Sequence, residues 1–110
     1  NIKGYNLDVA YNLTANGTVD IDYDNGNIHE LTLTGNINNL TFSNLPVAGK
    51  AVEFRIILKQ DATGSRLVSW PGAINWKSGS SPTSKTAAFA VDVIKLLTID
   101  SGTVIYGGVY

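Results

Sequence analysis

Val19-Asp20-Ile21-Asp22-Tyr23-Asp24-Asn25-Gly26 is the stretch whose reading decides the fold. Apolar and acidic residues alternate with period two, which sets Val19, Ile21 and Tyr23 on one face of a strand and the three aspartates on the other. Asn25-Gly26 follows at once. Both residues tolerate positive φ, and the pair is a strong short-range signal for a tight hairpin.

The same period runs onward through the chain. Leu31 and Leu33 alternate with Glu30, Thr32 and Thr34, Gly35 to Asn39 reads as a polar turn, and Leu40 and Phe42 resume the pattern. Leu45 to Gly49 is rich in turn formers. Val52, Phe54, Ile56 and Leu58 then line one face of the clearest strand, Ala51 to Gln60. Asp61 to Ser65 has the size of a hairpin loop, with Gly64 free to take a left-handed conformation, and Arg66 to Trp70 returns with Val68 and Trp70 in phase. Pro71-Gly72 breaks that strand, and Ser78 to Lys85 is a polar loop around Pro82. Ala87, Ala88 and Ala90 are good helix formers, but the alternation of Phe89, Val91 and Val93 predicts a strand over residues 86–99. Asp100-Ser101-Gly102 is a turn, and Thr103 to Tyr110 a closing strand. Short strands separated by frequent turn signals predict an all-β domain, an antiparallel, jelly-roll-like β-sandwich of about eight to nine strands.

A chain of 110 residues is expected to form one domain over 1–110, enough for a two-layer core and too little for two. The eight basic residues are scattered along the sequence. A nucleic-acid interface needs them gathered on one face with aromatics between them, so nucleic acid is not an expected partner. Residues 1–49 carry a formal charge of −4 and residues 50–110 one of +3. The simpler reading sets the two halves against each other within one fold; the other pairs neighbouring copies. Cysteine is absent, which removes disulfides, thiol catalysis and thiolate metal sites. No apolar run reaches the ~20 residues of a membrane helix. The chain opens at Asn1 rather than Met, and a piece of a longer protein is expected.

Chemistry is hard to find. Asp20, Asp22 and Asp24 resemble the start of a calcium loop, but the glycine falls one position late and Leu31 stands where a bidentate glutamate is needed. Strand alternation explains them as a solvated face. His29 is the single histidine; no nucleophile elbow accompanies it, and an ordinary surface or hairpin role is expected. No carboxylate pair, phosphate-binding glycine loop or zinc spacing stands out, so the expectation is no catalysis, no metal and no cofactor. Trp70 and Trp76 are the candidate ligand-binding residues, since exposed indoles stack on sugar rings. Packing into the core or an intersubunit seam is nevertheless the expectation for both, and sugar binding belongs to the carbohydrate alternative. Three triplets, starting at Asn12, Asn16 and Asn39, match the glycosylation sequon, an unsurprising outcome in a chain rich in Asn and Thr.

The sequence from Leu31 to Tyr110 resembles a β-domain of bacteriophage virion proteins, found at the C-terminal ends of tail fibres and related appendages. The resemblance is carried by Leu31-Thr32-Leu33-Thr34-Gly35-Asn36, Leu40-Thr41-Phe42-Ser43-Asn44 and Ala48-Gly49-Lys50. It continues through Lys59-Gln60-Asp61-Ala62-Thr63-Gly64-Ser65-Arg66, Val68-Ser69-Trp70-Pro71, Ile74-Asn75-Trp76, Pro82-Thr83, Val91-Asp92-Val93-Ile94 and Thr103 to Gly107. It implies a structural domain of the virion, commonly a homotrimer, associated with other virion proteins. Host attachment through a tail fibre or spike tip is the first expectation, with a host cell-surface glycan as partner. Capsid decoration, or a head fibre, is the alternative within that class. A carbohydrate-binding module of a bacterial surface protein, with Trp70 or Trp76 in the open, is the alternative outside it. The resemblance brings no catalytic residues.

Overall fold

The computed structural model describes residues 10–77, 79–82 and 86–109. Six strands form a single mixed sheet: β1 (Ala10–Asp22), β2 (Ile28–Ser43), β3 (Val52–Gln60), β4 (Ile74–Trp76), β5 (Val91–Thr98) and β6 (Ile105–Val109). Their order across the sheet is β1-β2-β3-β5-β6-β4. The chain is all-β as expected, but the antiparallel sandwich of eight to nine strands is not what these residues build. β1, β2 and β3 pair in parallel, and so do β4 and β6; only β3–β5 and β5–β6 are antiparallel.

The parallel pairing of β1 with β2 forces an unusual path. Ala10 pairs with Ile28 and Asp22 with Ser43, while only residues 23–27 join the two strands. A straight strand of the length of β1 would measure about 40 Å. The connection can span only about 20 Å even when fully extended. Both strands must therefore turn a corner, and the register shows where. It shifts between Ala15 and Gly17 and again between Gly17 and Thr18, opposite Leu33, Ile37 and Asn39. Gly17 sits at that corner with φ +71, and nothing occupies the space its side chain would fill. On β2 the extra residue Asn38 acts as a bulge: Ile37 points inward, Asn38 and Asn39 both outward, and Leu40 inward again.

The chain thus winds in stacked coils. β1 is the first and β2 the second. β3 starts the third by pairing its residues Arg55 to Gln60 with Ile28 to Leu33. Past the corner, Val68 bridges Ile37 in parallel, with Ile37 N–H donating to Leu67 O at 2.8 Å and Ser69 N–H donating to Ile37 O at 2.9 Å. Arg66 to Trp70 is therefore not a hairpin return against β3, and Asn25-Gly26 does not turn a hairpin. Tyr23 to Asn25 form a single 3-10 turn, capped by the Asp22 carboxylate accepting from Asp24 N–H at 2.9 Å. That turn carries the chain into the next coil. Gly35 to Asn39, expected as a turn between two strands, is the corner of one continuous strand.

The inward faces make one core. Ala15, Val19, Ile21, Leu31, Leu33, Ile37 and Leu40 from the first two coils meet Phe54, Ile56, Leu58, Ile94, Leu96, Ile74 and Ile105. Phe42 and Tyr23 pack edge-on to Phe54 at ring separations of 5.4 and 6.4 Å. The acidic first half and the basic second half meet along the β2–β3 seam, where Lys59 lies 3.6 Å from Glu30. The expected turn at Asp100-Ser101-Gly102 joins β5 to β6. The buried Thr98 hydroxyl organises it, donating to Val104 O at 2.9 Å and accepting from Gly102 N–H at 2.9 Å.

The third corner is closed by side chains rather than by a strand. Gln60 is buried, and its amide completes a strand-like pair with Arg66: Nε2 donates to Arg66 O at 2.8 Å and Oε1 accepts from Arg66 N–H at 3.0 Å. Asp61 Oδ1 accepts from the backbone N–H of Thr63 and Gly64 at 3.1 and 3.0 Å, and Oδ2 pairs with Arg66 Nη2 at 3.0 Å. Gly64 has φ +72, and a Cβ there would stand 2.5 Å from Thr86 O. The Gln60-to-Arg66 motif is thus a clasp that fixes the corner.

Candidate functional site

The candidate site lies where the sheet ends in β5, β6 and the short edge strand β4. Pairing sets Ile74, Asn75 and Trp76 opposite Ile105, Tyr106 and Gly107, and Leu97 and Lys95 opposite Tyr106 and Gly108. Alternation then sends Ile74, Trp76, Ile105, Gly107 and Leu96 to the core face. Asn75, Tyr106, Leu97, Lys95 and Glu53 go to the outer face, which nothing covers among the described residues. A groove of ≈ 550 Å³ runs over this outer face; its lining includes Glu53, Leu97, Tyr106 and Asn75 from one row of the sheet and Lys95, Gly108 and Lys77 from the next. A second groove of ≈ 330 Å³ adjoins it and shares Trp76, Lys77, Gly108 and Val109, with Ser80 and Pro82 on its far side. Tyr106 is 48% exposed, so its ring is a wall of the groove and not a core residue.

Two glycines shape the place differently. A Cβ on Gly107 would meet Ile74, Trp76 and Leu96 at 2.8, 2.9 and 3.0 Å, so Gly107 lets the Trp76 indole lie against the sheet. A Cβ on Gly108 would find its nearest neighbour, Lys77 Cβ, at 3.7 Å, an ordinary van der Waals contact on the outer face. Electrostatically the groove is basic. Glu53 serves two cations, Lys95 Nζ at 3.5 Å and Arg55 Nη2 at 3.8 Å. Lys77 has no carboxylate within ion-pair distance among the described residues.

The structure brings the two candidate tryptophans together. Trp70 and Trp76 stand edge to face with ring centroids 5.2 Å apart, both partly buried and both packed on the core. Trp70 Nε1 is buried without a hydrogen-bond partner, so this indole is oriented by packing. Of the two, Trp76 alone lines a groove, and it lines both cavities.

The other candidates lie elsewhere. His29 is not at the surface: it is buried on the core face of β2, with Nε2 2.9 Å from Gly26 O. Burial pushes its pKa below the ordinary value, against opposing pulls from Gly26 O, Asp22 and Asp20. Asp20 and Asp22 project from the wet face of β1 and are tied to β2. Asp20 accepts from the hydroxyls of Thr41 and Ser43, and Asp22 accepts from Asn44 Nδ2 at 2.8 Å. The Asn44 bond, with the Asp24 N–H, holds the Asp22 carboxyl below the usual range. Asp24 is in the 3-10 turn, off that strand face. Among the described residues no group of three His, Asp or Glu side chains is placed to hold a metal ion.

Tyr106, Lys77 and Gly108 were not singled out in the sequence. One signal could have found them: Gly107-Gly108 inside a strand marks a point of close approach or missing side chains.

Residues 13–103 match the model of a family described as "Putative phage tail fibre C-terminal domain". No curated protein and no solved structure matches the chain significantly. The matched span includes the coils, the clasp and Trp70 and Trp76, while β6, with Tyr106 and Gly108, lies beyond it.

Proposed function

Because this chain belongs to the phage tail fibre C-terminal domain family, and so is a component of the phage virion, we propose that it acts in host attachment at the outer end of the fibre. The observation that carries the proposal is the uncovered outer face of β4, β6 and β5, with its groove of ≈ 550 Å³ walled by an exposed tyrosine. Small-molecule sites commonly have volumes of about 300–1,000 Å³ and combine apolar walls with a few polar groups. Tyr106, Leu97, Asn75, Lys77 and Lys95 make such a set. The role is one of binding, without catalysis: the one histidine faces the core, and the Asp20 and Asp22 carboxylates are spent on cross-strand hydrogen bonds. Assembly as a homotrimer is part of the proposal, supported by the apolar residues Val91 and Ile99 that β5 and its end expose outside the groove.

Adsorption tests the reading. Fluorescently labelled chain is expected to bind cells of the phage's host and, in excess, to slow adsorption of the phage. Light scattering is expected to give about three times the chain mass, in line with a closed symmetric assembly. Absence of cell binding by an assembled, folded sample would refute attachment. Immuno-electron microscopy that found the domain on the capsid shell would assign it to decoration instead.

A further inference from the structure

We propose that the groove over Gly108 is a subsite for a sugar bearing an anionic group, with Tyr106 stacking on the ring and Lys77 and Lys95 flanking the anion. This rests on the attachment reading and names the ligand class for it. The argument begins with register. Lys77 N–H donates to Gly107 O at 2.8 Å, which continues the β4–β6 pairing one residue past Trp76. Gly108 pairs with Lys95, and Lys95 with Arg55. Three cations therefore lie in one row across the outer face, and the single interruption in the row is the glycine. Any larger residue at 108 would project into the space between Lys77 and Lys95.

Charge decides the class of ligand. Glu53 is the acid of the groove and already faces both Lys95 and Arg55. Lys77 adds a positive charge with no ion-pair partner among the described residues, and it stands where the two grooves join. Among the described residues that line the groove, two lysines stand against one carboxylate. The unpaired Lys77 attracts an anion, and a charged partner is held more strongly than a neutral one through charge-assisted hydrogen bonds. The neighbouring row supplies what a sugar ring needs. Tyr106 offers an aromatic face beside Leu97, and Asn75 offers an amide donor and acceptor for hydroxyls. The adjoining cavity, with Trp76, Ser80 and Pro82, extends the site by about one further ring.

The test is a titration of the isotopically labelled chain followed by amide shifts. The probes are methyl β-D-glucuronide, glucose 6-phosphate, methyl β-D-glucoside, acetate and inorganic phosphate. Shifts are expected at Lys77, Tyr106, Gly107 and Gly108 with both charged sugars, whose relative affinities tell a carboxylate ligand from a phosphate one. The neutral glucoside should bind about tenfold more weakly, the worth of one charge-assisted contact. Lys77→Gln should erase that preference. Gly108→Val should abolish binding by a folded chain, since its Cβ meets nothing closer than 3.7 Å and its φ lies outside the left-handed region; a circular dichroism melt checks that it folds.

Four results would overturn the proposal: no shifts with any sugar, equal binding of acetate or phosphate alone, wild-type binding by Gly108→Val, or shifts that appear only with a change in mass. The last would make the groove a contact between copies. Host-cell adsorption separates the two readings. If Gly108→Val adsorbs normally while sugars fail to bind, the subsite falls and attachment stands. If the wild-type chain binds acidic sugars but not host cells, attachment falls and the subsite stands.

Discussion

Replacing Gly64 by alanine tests the clasp that fixes the third corner, and Gly17→Ala supplies its control. Both glycines have nearly the same positive φ, +72 and +71. A Cβ in that region costs about 1–2 kcal/mol wherever it occurs. At Gly17 nothing lies within 4 Å of the added atom, so the conformational cost is the whole cost. At Gly64 the added atom would stand 2.5 Å from Thr86 O and 2.9 Å from Ala88 N, both backbone atoms. They cannot swing aside. Ser65 N–H donates to that same Thr86 oxygen at 2.7 Å, and Phe89 N–H donates to Asp61 O at 3.1 Å. Relief would have to break these bonds, and overpacking of this kind adds about 1–3 kcal/mol. Gly17→Ala should therefore lower stability by about 1–2 kcal/mol and Gly64→Ala by about 2–5 kcal/mol. In thermal unfolding that is a fall of roughly 5–10 °C against one of roughly 10–25 °C, or failure to fold. Circular dichroism melts of the two variants at one concentration decide it. Equal melting temperatures would refute the claim that close approach, beyond backbone conformation, reserves position 64 for glycine.

Trp70→Ala should cost about 2–4 kcal/mol, because a large partly buried side chain leaves the core, whereas Trp70→Phe should cost far less, since Trp70 Nε1 has no partner to lose; urea unfolding measures both. For His29 the folded pKa is depressed by burial, so the unfolded chain binds the proton more readily. Stability should be full above about pH 6.5 and fall as the pH drops below it, and His29→Leu should flatten that limb in urea midpoints taken from pH 7.5 to 5. Millimolar calcium or a chelator should leave the melting temperature unchanged, since Asp20 and Asp22 are engaged by Thr41, Ser43 and Asn44; a rise of several degrees with calcium would refute this.

Much of the facing of residues was legible in the sequence, and little of the pairing. Alternation correctly put Val19 and Ile21, Leu31 and Leu33, and Val52 to Leu58 inward, because period two depends only on one face being buried. It carries no information on which strand lies alongside or in which direction. A parallel coil and an antiparallel hairpin give the same pattern, so Asn25-Gly26 read as a hairpin although it leads into the next coil. Asn38 hid the unity of β2 by shifting its phase, and two half-strands with a polar gap look like two strands. His29 sat in phase with Leu31 and Leu33, and its polarity outweighed its position. The groove was harder still. Trp76 was found for its indole, but Tyr106, Lys77 and Gly108 come together only through the β4–β6 register, which joins positions about thirty residues apart in the chain.

The fold also separates the part that makes the domain from the groove proposed to meet a ligand. The clasp closes the Gln60 end of β3, and the groove opens at Glu53, at the other end of the same strand. Seven residues of strand put them about 23 Å apart. Groups that far apart with no shared partner are expected to contribute independently to stability. The coils and the clasp are closed by buried side chains and backbone, where each position is constrained by close contact. The groove is built of exposed side chains on the outer face, where Tyr106, Lys77 and Gly108 can change without disturbing Ile74, Leu96 or Ile105 beneath them. A domain at the end of a fibre gains from that division. Its corners hold the shape, and its outer face is free to change the surface it meets.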